Sequence, residues 1–430
     1  MATDKPKGNL YLHNVGQLVT MAGSPRRGRE AMNDIGLVAG PAALVIEEGV
    51  ITYAGPEKGA PSRRGFASGE VIDAGGQCLL PGFVDSHTHL VFGGYREEEF
   101  QWRLSGESYM SIMERGGGIA STTKATRAAS SDELYRKSRA HLDDFLSMGV
   151  TTVEAKSGYG LDRETELRQL EVAGRLDREH PIDLYRTYMG AHDLSPEFRA
   201  EGFGAYTDYI ISEMLPLVKE RGLASAVDVF TEKGVFELED SKRLLLKARE
   251  MGFRVKMHAD EIYPLGGAQL AAECGCLSAD HLLKISEEGI RALAASDTVA
   301  TCLPLTAFSL KDNYAPARRM IDSGCIVALA SDLNPGSCFS ASVPLMIGLA
   351  TIYMGMTVEE TLSALTINGA KAIDSDRIVG SLEPGKKGDA VLLRFPGYKF
   401  LSYHFGMNLV AATIKAGRVV YSRKGGFPNP

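Results

Sequence analysis

Several features that mark other classes of protein are scarce in this sequence. It has six cysteines in 430 residues, too few in a chain this long for a disulfide framework, so buried free thiols are expected. Acidic residues outnumber basic ones and give a formal net charge of −7, which argues against a surface for nucleic acid. We find no internal repeat at solenoid periods and no low-complexity segment. These absences leave an ordinary globular protein.

Long apolar runs are also missing. No uninterrupted apolar stretch reaches the ~20 residues of a membrane helix, and residues 1–9 lack the apolar core of a signal peptide. A cytoplasmic protein is therefore expected. At 430 residues the chain has room for an α/β barrel of ~250 residues or more together with a second module.

Both ends of the chain have the pattern of short strands. Before residue 80 we predict strands at 9–12, 43–47, 50–53 and 70–72, and after residue 385 at 389–394, 410–415 and 418–421. Each set is too small to bury a core alone. We therefore expect residues 1–80 and 385–430 to form one composite β-sandwich domain, with a barrel at residues 81–384 inserted between them.

Between these ends, apolar runs alternate with helical patterns, which predicts βα units and a parallel sheet. The eight predicted strands are 82–91, 150–155, 183–190, 226–230, 254–258, 276–281, 298–303 and 326–331. Eight such units indicate an α/β fold of the (β/α)8 TIM-like type, whose chemistry lies at the carboxyl ends of the strands. Residues 92–127 are too long for an ordinary connection and predict a functional loop over the barrel mouth.

Candidate metal ligands stand at the ends of these strands. His87 and His89 lie two residues apart at the end of the first strand, where alternate side chains share a face. His258 and His281 end the fifth and sixth strands, and Asp332 follows the eighth. Although a lone His-x-His pair arises by chance, strand ends meet at one barrel mouth. His87, His89, His258 and Asp332 therefore predict a site for one zinc or iron ion, with an open position for water.

The motif at residues 81–89, taken with these strand-end residues, resembles the amidohydrolase superfamily of metal-dependent hydrolases. Within that superfamily, the chain resembles the imidazolonepropionase family over nearly its whole length. The runs that carry this resemblance are residues 92–96, 154–160, 190–192, 258–261, 331–337 and 403–406. The resemblance implies that water opens the ring of 4-imidazolone-5-propanoate at its amide bond. The product would be N-formimidoyl-L-glutamate, formed during L-histidine degradation. The resemblance also implies a homodimer.

Roles for individual residues follow from this resemblance and from their chemistry. Asp332 can take a proton from the attacking water and pass it to the departing ring nitrogen. His281 is not needed as one of the four metal ligands, and it is placed to polarise the carbonyl oxygen of the substrate's ring amide. Glu261 would hydrogen-bond the ring N–H or orient the water, with a structural partner for a ligand histidine as the alternative.

The substrate's propionate requires a cationic group, and Arg96 is the candidate because a guanidinium can bind a carboxylate bidentately. The glutamates at 97–99 could instead engage Arg96 in a surface ion pair. Other substrate contacts implied by the resemblance are Tyr159, His192, Asn334, Gly336 and Ser337. The sequence Asn-Pro-Gly at 334–336 is also strong turn chemistry.

Two other functions remain open. A mononuclear deaminase of nucleobases or other cyclic amidines would use the same histidines and Asp332 but would not need Arg96. A catalytically silent scaffold would be expected to have lost ligands, and none is lost here. Binuclear relatives carry a carbamylated lysine after the fourth strand. Here Lys233 lies between Glu232 and Gly234 in what is predicted to be a solvated loop, which favours a single metal. Lys156, just past the second predicted strand, is expected to form a structural ion pair rather than to bridge metals.

Overall fold

A computed structural model describes residues 5–63, 66, 69–107, 111 and 115–424 of the chain. Its strands form two eight-stranded sheets. In chain order the strands are β1 (Leu10–Val19), β2 (Leu37–Glu47), β3 (Val50–Pro56), β4 (Glu70–Asp73), β5 (Cys78–Pro81), β6 (Phe83–Asp85), β7 (Val150–Lys156), β8 (Asp183–Ala191), β9 (Ala226–Thr231), β10 (Arg254–Ala259), β11 (Ser278–His281), β12 (Val299–Cys302), β13 (Val327–Leu329), β14 (Ala390–Leu393), β15 (Val410–Lys415) and β16 (Arg418–Ser422).

Helices follow nearly every strand of the barrel. They are α1 (Gly28–Asn33), α2 (Glu97–Leu104), α3 (Ile119–Ala128), α4 (Ser131–Ser147), α5 (Arg163–Glu179), α6 (Gly202–Tyr209), α7 (Leu215–Glu220), α8 (Leu238–Glu250), α9 (Gly267–Glu273), α10 (Glu287–Ala294), α11 (Pro304–Leu310), α12 (Ala317–Asp322), α13 (Val343–Ile352), α14 (Val358–Leu365), α15 (Ile367–Lys371) and α16 (Phe400–Tyr403). A π-helical turn, Ile210–Met214, joins α6 to α7. None of these described helices is long and apolar enough to cross a membrane.

The predicted barrel is confirmed. Strands β6 to β13 stand side by side in chain order, and every pair is parallel. The ring closes just beyond the first and last strands, where Thr88 bridges Leu333. The Asp332 N–H donates to His87 O at 3.0 Å, and the His89 N–H donates to Leu333 O at 2.9 Å. Closure of the barrel therefore brings the two candidate ligand segments together.

The first barrel strand is shorter than predicted. Strand β6 ends at Asp85, so the prediction of a regular strand through His87 and His89 is wrong. Beyond Asp85 the backbone makes isolated bonds instead, including one from the Lys156 N–H to Thr88 O at 3.0 Å. His87 and His89 flank the single bridge at Thr88, and both side chains still lie at the barrel mouth.

The second sheet unites the two ends of the chain, as predicted. Its order is β16-β15-β14-β5-β1-β2-β3, with β4 paired to β1. The link between the ends is the antiparallel pair β14 and β5, with Val391 opposite Leu80. Leucines and isoleucines of both ends, including Leu44 and Ile414, share one core. The domain boundaries at residues 80 and 384 stay a prediction.

The long excursion at residues 92–127 contains α2 and α3 rather than only loop. Its residues 108–110 and 112–114 lie outside the described part of the chain. Described side chains of this excursion, Arg96, Arg103 and Ile119 among them, line the cavity at the barrel mouth. All six cysteines are free and buried, as expected.

Candidate metal and substrate site

Three histidines and an aspartate meet at the barrel mouth. His258 Nε2 lies 3.4 Å from His89 Nε2. Asp332 Oδ1 lies 3.5 Å from His87 Nε2 and 3.7 Å from His89 Nε2. All four residues are at most 3% exposed. The structure thus brings the four sequence-predicted ligands together, and His281 lies close enough to His87 and Asp332 to form a candidate group with them.

Two buried carboxylates set the orientation of the ligand imidazoles. Asp280 Oδ2 lies 2.6 Å from His87 Nδ1, and Asp228 Oδ1 lies 3.2 Å from His258 Nδ1. An ionised carboxylate only accepts hydrogen bonds, so each histidine donates through Nδ1–H. The Nε2 lone pairs of His87 and His258 are left directed into the site, as metal coordination requires.

The chemistry of this donor set fits a cation. Burial holds the pKa of His87, His89 and His258 well below the usual range, so the imidazoles are neutral at pH 7. Among the described residues, His87 Nε2 and Asp332 Oδ1 have no hydrogen-bond partner. Buried polar atoms without a partner are rare. Neutral nitrogen donors and a carboxylate oxygen that converge without partners are what a zinc- or iron-type ion would satisfy.

A network of five charged side chains lies beneath these ligands. Lys156 Nζ lies 2.5 Å from Asp228 and 2.8 Å from Glu154, and Lys256 Nζ lies 2.7 Å from Glu154. Both lysines also lie 3.6 to 3.7 Å from Asp280, and every member is at most 1% exposed. The network therefore joins Asp228 and Asp280, and through them two metal ligands, to the barrel interior.

Sequence reasoning identified only Lys156 of this network as an ion-pair former, and placed it past the strand rather than in β7. Charged residues at alternate positions of apolar strands, such as Glu154 with Lys156, were the signal that could have revealed the rest. Because alternate residues face the barrel axis, such charges can only be buried there in pairs.

Asp332 is fixed by a residue that sequence reasoning missed. Its Oδ2 accepts a hydrogen bond from Thr306 Oγ1 at 2.7 Å, from the first turn of α11. Burial raises the pKa of Asp332 to about 7. Its backbone has a φ of 55°, a left-handed conformation that is uncommon for residues other than glycine. Thr306 thus leaves Oδ1 as the free oxygen on the ligand side.

His281 and Glu261 form a second pair beside the metal ligands. His281 Nδ1 lies 3.4 Å from Glu261 Oε1, and His281 has a φ of 79°. Burial lowers the pKa of His281 to about 4, whereas burial and the charge of Asp332 raise the pKa of Glu261 well above its usual range. The pair combines a neutral imidazole with a carboxyl whose pKa is raised, a combination suited to acid–base chemistry.

The loop that carries Glu261 is held from below by Glu232. The Glu232 carboxylate is 1% exposed and accepts from the Ile262 N–H at 2.9 Å. The prediction of a solvated loop here is therefore wrong for Glu232 and confirmed for Lys233, which is exposed with its ammonium 5.1 Å above the Tyr263 ring. Lys233 does not approach the histidines as a bridging ligand would.

Arg96 forms part of the wall of the cavity at the barrel mouth. Its Nε donates to Glu99 Oε2 at 2.8 Å, so the expected pairing with the acidic run does occur. However, the two side chains are only 14% and 11% exposed, which makes this a largely buried pair rather than a surface one. The guanidinium rests against Gly336, where a Cβ would collide with Arg96 Nη1. A Cβ at 336 would therefore displace the guanidinium from its present position.

Tyr159 and His192 form an aromatic wall beside the ligands. The His192 ring stacks on His89 at 4.8 Å, and Tyr159 lies 5.1 Å from His192. His192 Nδ1 donates to Gly158 O at 2.9 Å, which leaves Nε2 as an acceptor. The buried carboxylate of Glu166, missed in the sequence, accepts from the N–H groups of Gly158, Gly160 and Leu161 and so holds this loop.

Residues 334–337 form a turn organised by Asn334. The Asn334 Oδ1 accepts from the N–H groups of Gly336 and Ser337, each at 2.8 Å, and its Nδ2 donates to Asp332 O at 2.7 Å. The turn interpretation is therefore confirmed, and these donors face Asn334 rather than the cavity. With the ligands and Arg96, the turn encloses a cavity of about 330 Å³.

The geometry of this site defines a metal-dependent hydrolase, and sequence comparison agrees. A family model described as the amidohydrolase family matches residues 78–420. The chain belongs to the amidohydrolase family, whose members depend on bound metal.

Curated relatives narrow the assignment. The imidazolonepropionase of Porphyromonas gingivalis is 63% identical over 416 residues, covering 96% of this chain and 98% of the relative. That of Clostridium tetani is 51% identical over 417 residues, covering 97% and 99%. Within the amidohydrolase family, the chain belongs with the imidazolonepropionases.

Solved structures share the fold at much lower identity. A 5-methylcytosine deaminase from Klebsiella pneumoniae superimposes with a TM-score of 0.70 at 17% identity, covering 96% of this chain and 98% of that one. A triazine hydrolase variant gives a TM-score of 0.74 at 16% identity, covering 97% and 95%. At these identities the likeness establishes the barrel and its companion sheet, and leaves the substrate to the residues of the site.

Proposed function

We propose that this protein hydrolyses the ring amide of 4-imidazolone-5-propanoate to N-formimidoyl-L-glutamate, a step of L-histidine degradation. The proposal depends on one cavity, which is lined by three of the four candidate ligands, His89, His258 and Asp332, and by the Arg96 guanidinium. The 63% identity to a curated imidazolonepropionase supports it. A deaminase of neutral bases would have no use for a buried guanidinium at this position.

His87, His89, His258 and Asp332 would hold one zinc or iron ion per subunit. When bound, the metal makes hydroxide available by lowering the pKa of water from about 15.7 to roughly 7. One ion fits better than two because Lys233 is exposed and the space beneath the histidines is occupied by the Lys156 network. As predicted from the sequence, we also propose a cytoplasmic homodimer without nucleic-acid or membrane partners.

The remaining groups move protons and stabilise charge. Asp332, with Oδ2 held by Thr306, can accept the proton of the attacking water and deliver it to the ring nitrogen as the C–N bond breaks. His281 would donate toward the carbonyl oxygen as negative charge develops there. Glu261, whose pKa is raised by burial, would bind the ring N–H or exchange a proton with it.

Substrate orientation would come from the opposite wall. Arg96 would bind the propionate through the two Nη groups that Glu99 leaves free. Tyr159 and His192 would contact the ring, with His192 Nε2 as an acceptor. The turn at Asn334, Gly336 and Ser337 would contact substrate or product after its internal bonds rearrange, or would serve only to hold Arg96 in place.

A substrate panel tests the proposal. The metal-loaded protein is assayed with 4-imidazolone-5-propanoate beside hydantoins, cytosine and adenine, with product and ammonia measured separately. We expect turnover of the imidazolone alone and no ammonia. Release of ammonia from a nucleobase would instead identify a deaminase, and inactivity on the whole panel with metal bound would favour the silent scaffold.

The variant Arg96→Met tests the carboxylate contact. Its removal should weaken substrate binding by about 2–5 kcal/mol, the range seen when one partner of a desolvated charge pair is truncated. The measurement is KM beside kcat. Unchanged kinetics would remove Arg96 from the site.

A further inference from the structure

Three charged side chains at and after the start of helix α2, Arg96, Glu99 and Arg103, form a stripe that lines the cavity. Arg96 precedes the helix, and Glu99 and Arg103 follow at spacings of three and four residues, so all three lie on one helix face. All three line the same cavity as His89 and Asp332. Only Arg96 of this stripe was assigned a role in substrate binding above.

Arg103 is half-buried, and its Nε lacks a partner in the described part of the chain. Its Nε is buried without a hydrogen-bond partner, and no carboxylate pairs with it among residues 5–63, 66, 69–107, 111 and 115–424. The nearest acid of the stripe, Glu99, is already engaged by Arg96 Nε at 2.8 Å and the Gly118 N–H at 3.1 Å. Burial and the neighbouring charge of Arg96 lower the pKa of Arg103. Among the residues that the structure describes, the guanidinium therefore has only the Ser309 hydroxyl as a hydrogen-bond partner.

We propose that Arg103 is a second cationic ligand for the carboxylate of the substrate, acting beside Arg96, and that the two together select an anionic side chain. The inference rests on the proposed function, since it names a further group of the same site. The charges of the stripe agree with it: two guanidiniums and the carboxylate of Glu99 leave one positive charge, which one propionate neutralises. Glu107, which also lines the cavity, is paired with Arg115. The planar donor fork of each arginine suits a carboxylate held between them.

A purely structural role for Arg103 is the competing explanation. Its Nη2 donates to Ser309 Oγ at 3.3 Å and so links α2 to α11 across the mouth. Its guanidinium also lies 5.1 Å from the ring centroid of Phe100. If these contacts are its only purpose, loss of Arg103 should affect all substrates equally.

The experiment compares substrates with and without the charge. Metal-loaded wild-type protein and the variants Arg103→Met, Arg103→Lys and Ser309→Ala are assayed with 4-imidazolone-5-propanoate and with its propanamide analogue. Arg115→Met is the matched control, because Arg115 pairs with Glu107 on the same segment and is 51% exposed. Thermal unfolding and metal content are measured for each protein.

For Arg103→Met we expect KM for the anionic substrate to rise roughly tenfold or more, with the kinetics of the amide unchanged. Arg103→Lys should be intermediate, and it carries the test if the methionine variant does not fold. Ser309→Ala and Arg115→Met should match the wild type on both compounds. Equal losses on both compounds, or none, would overturn the role of Arg103. Failure of the wild type itself on the imidazolone would overturn the proposed function instead.

Discussion

Replacing Asp280 with asparagine should weaken metal binding while leaving the barrel folded. Asp280 Oδ2 lies 2.6 Å from His87 Nδ1, and neither side chain is exposed. Burial opposes ionisation of Asp280, but the ammonium groups of Lys256 and Lys156 outweigh it and lower its pKa. The substitution therefore removes a full negative charge while it keeps the shape of the side chain and an acceptor oxygen for His87.

The magnitude follows from the two roles of this carboxylate. Loss of such an outer partner typically reduces metal affinity 10- to 100-fold, or about 1.4–2.7 kcal/mol. A buried ion left unpaired would add about 3–5 kcal/mol of destabilisation. That penalty is not expected here, because Lys156 keeps Asp228 at 2.5 Å and Lys256 keeps Glu154 at 2.7 Å. The buried cluster simply loses its one excess negative charge.

The assay is competition with a chelator of known affinity, read by elemental analysis, together with thermal unfolding of the metal-free protein. Asp297→Asn is the control, since Asp297 is 90% exposed in a surface ion pair with Arg27. Metal affinity equal to that of the control would show that Asp280 does not support the metal site. A metal-free protein that fails to fold would also contradict the prediction, because the lysines would then depend on Asp280 itself.

Three further predictions concern other parts of the site. Wild-type protein should bind about one equivalent of metal per chain, and Asp332→Ala should lose it; two equivalents in the wild type would contradict the mononuclear site. Gly336→Ala should displace Arg96 and, if about 1.4 kcal/mol of its contact with the carboxylate is lost, raise KM roughly tenfold; an unchanged KM would show that Arg96 does not depend on this glycine. Glu166→Gln should lower the free energy of unfolding by about 1–3 kcal/mol, because three backbone N–H groups lose their charged acceptor; denaturant unfolding equal to the wild type would argue against this role.

The barrel and the meeting of its candidate ligands were predictable because both follow from the topology of the fold. In a (β/α)8 barrel all strands end at the same mouth, so residues as distant in sequence as His87 and Asp332 must meet once they are assigned to strand ends. The shorter extent of β6 did not affect this outcome, since the bridge at Thr88 preserves the alternation of the two histidines.

The supporting residues could not be predicted in the same way. Asp228 and Asp280 lie within strands that are otherwise apolar, and the sequence does not show which histidine each of them contacts across the barrel. Thr306 contacts Asp332 because it lies in the first turn of α11, next to the carboxyl end of β13, where Asp332 follows. Arg103 is a similar case: in the sequence it is an ordinary helical arginine, and only the structure shows that its Nε has no hydrogen-bond partner among the described residues.

In the proposed reaction, water is added across the ring amide in this cavity. The most direct test is to run the reaction in H₂¹⁸O with metal-loaded protein and to analyse the product by mass spectrometry and NMR, with denatured protein as the control. We predict one ¹⁸O atom in the new α-carboxylate of N-formimidoyl-L-glutamate, an intact formimidoyl group and no ammonia. Incorporation at the amidine carbon with release of ammonia would contradict the account.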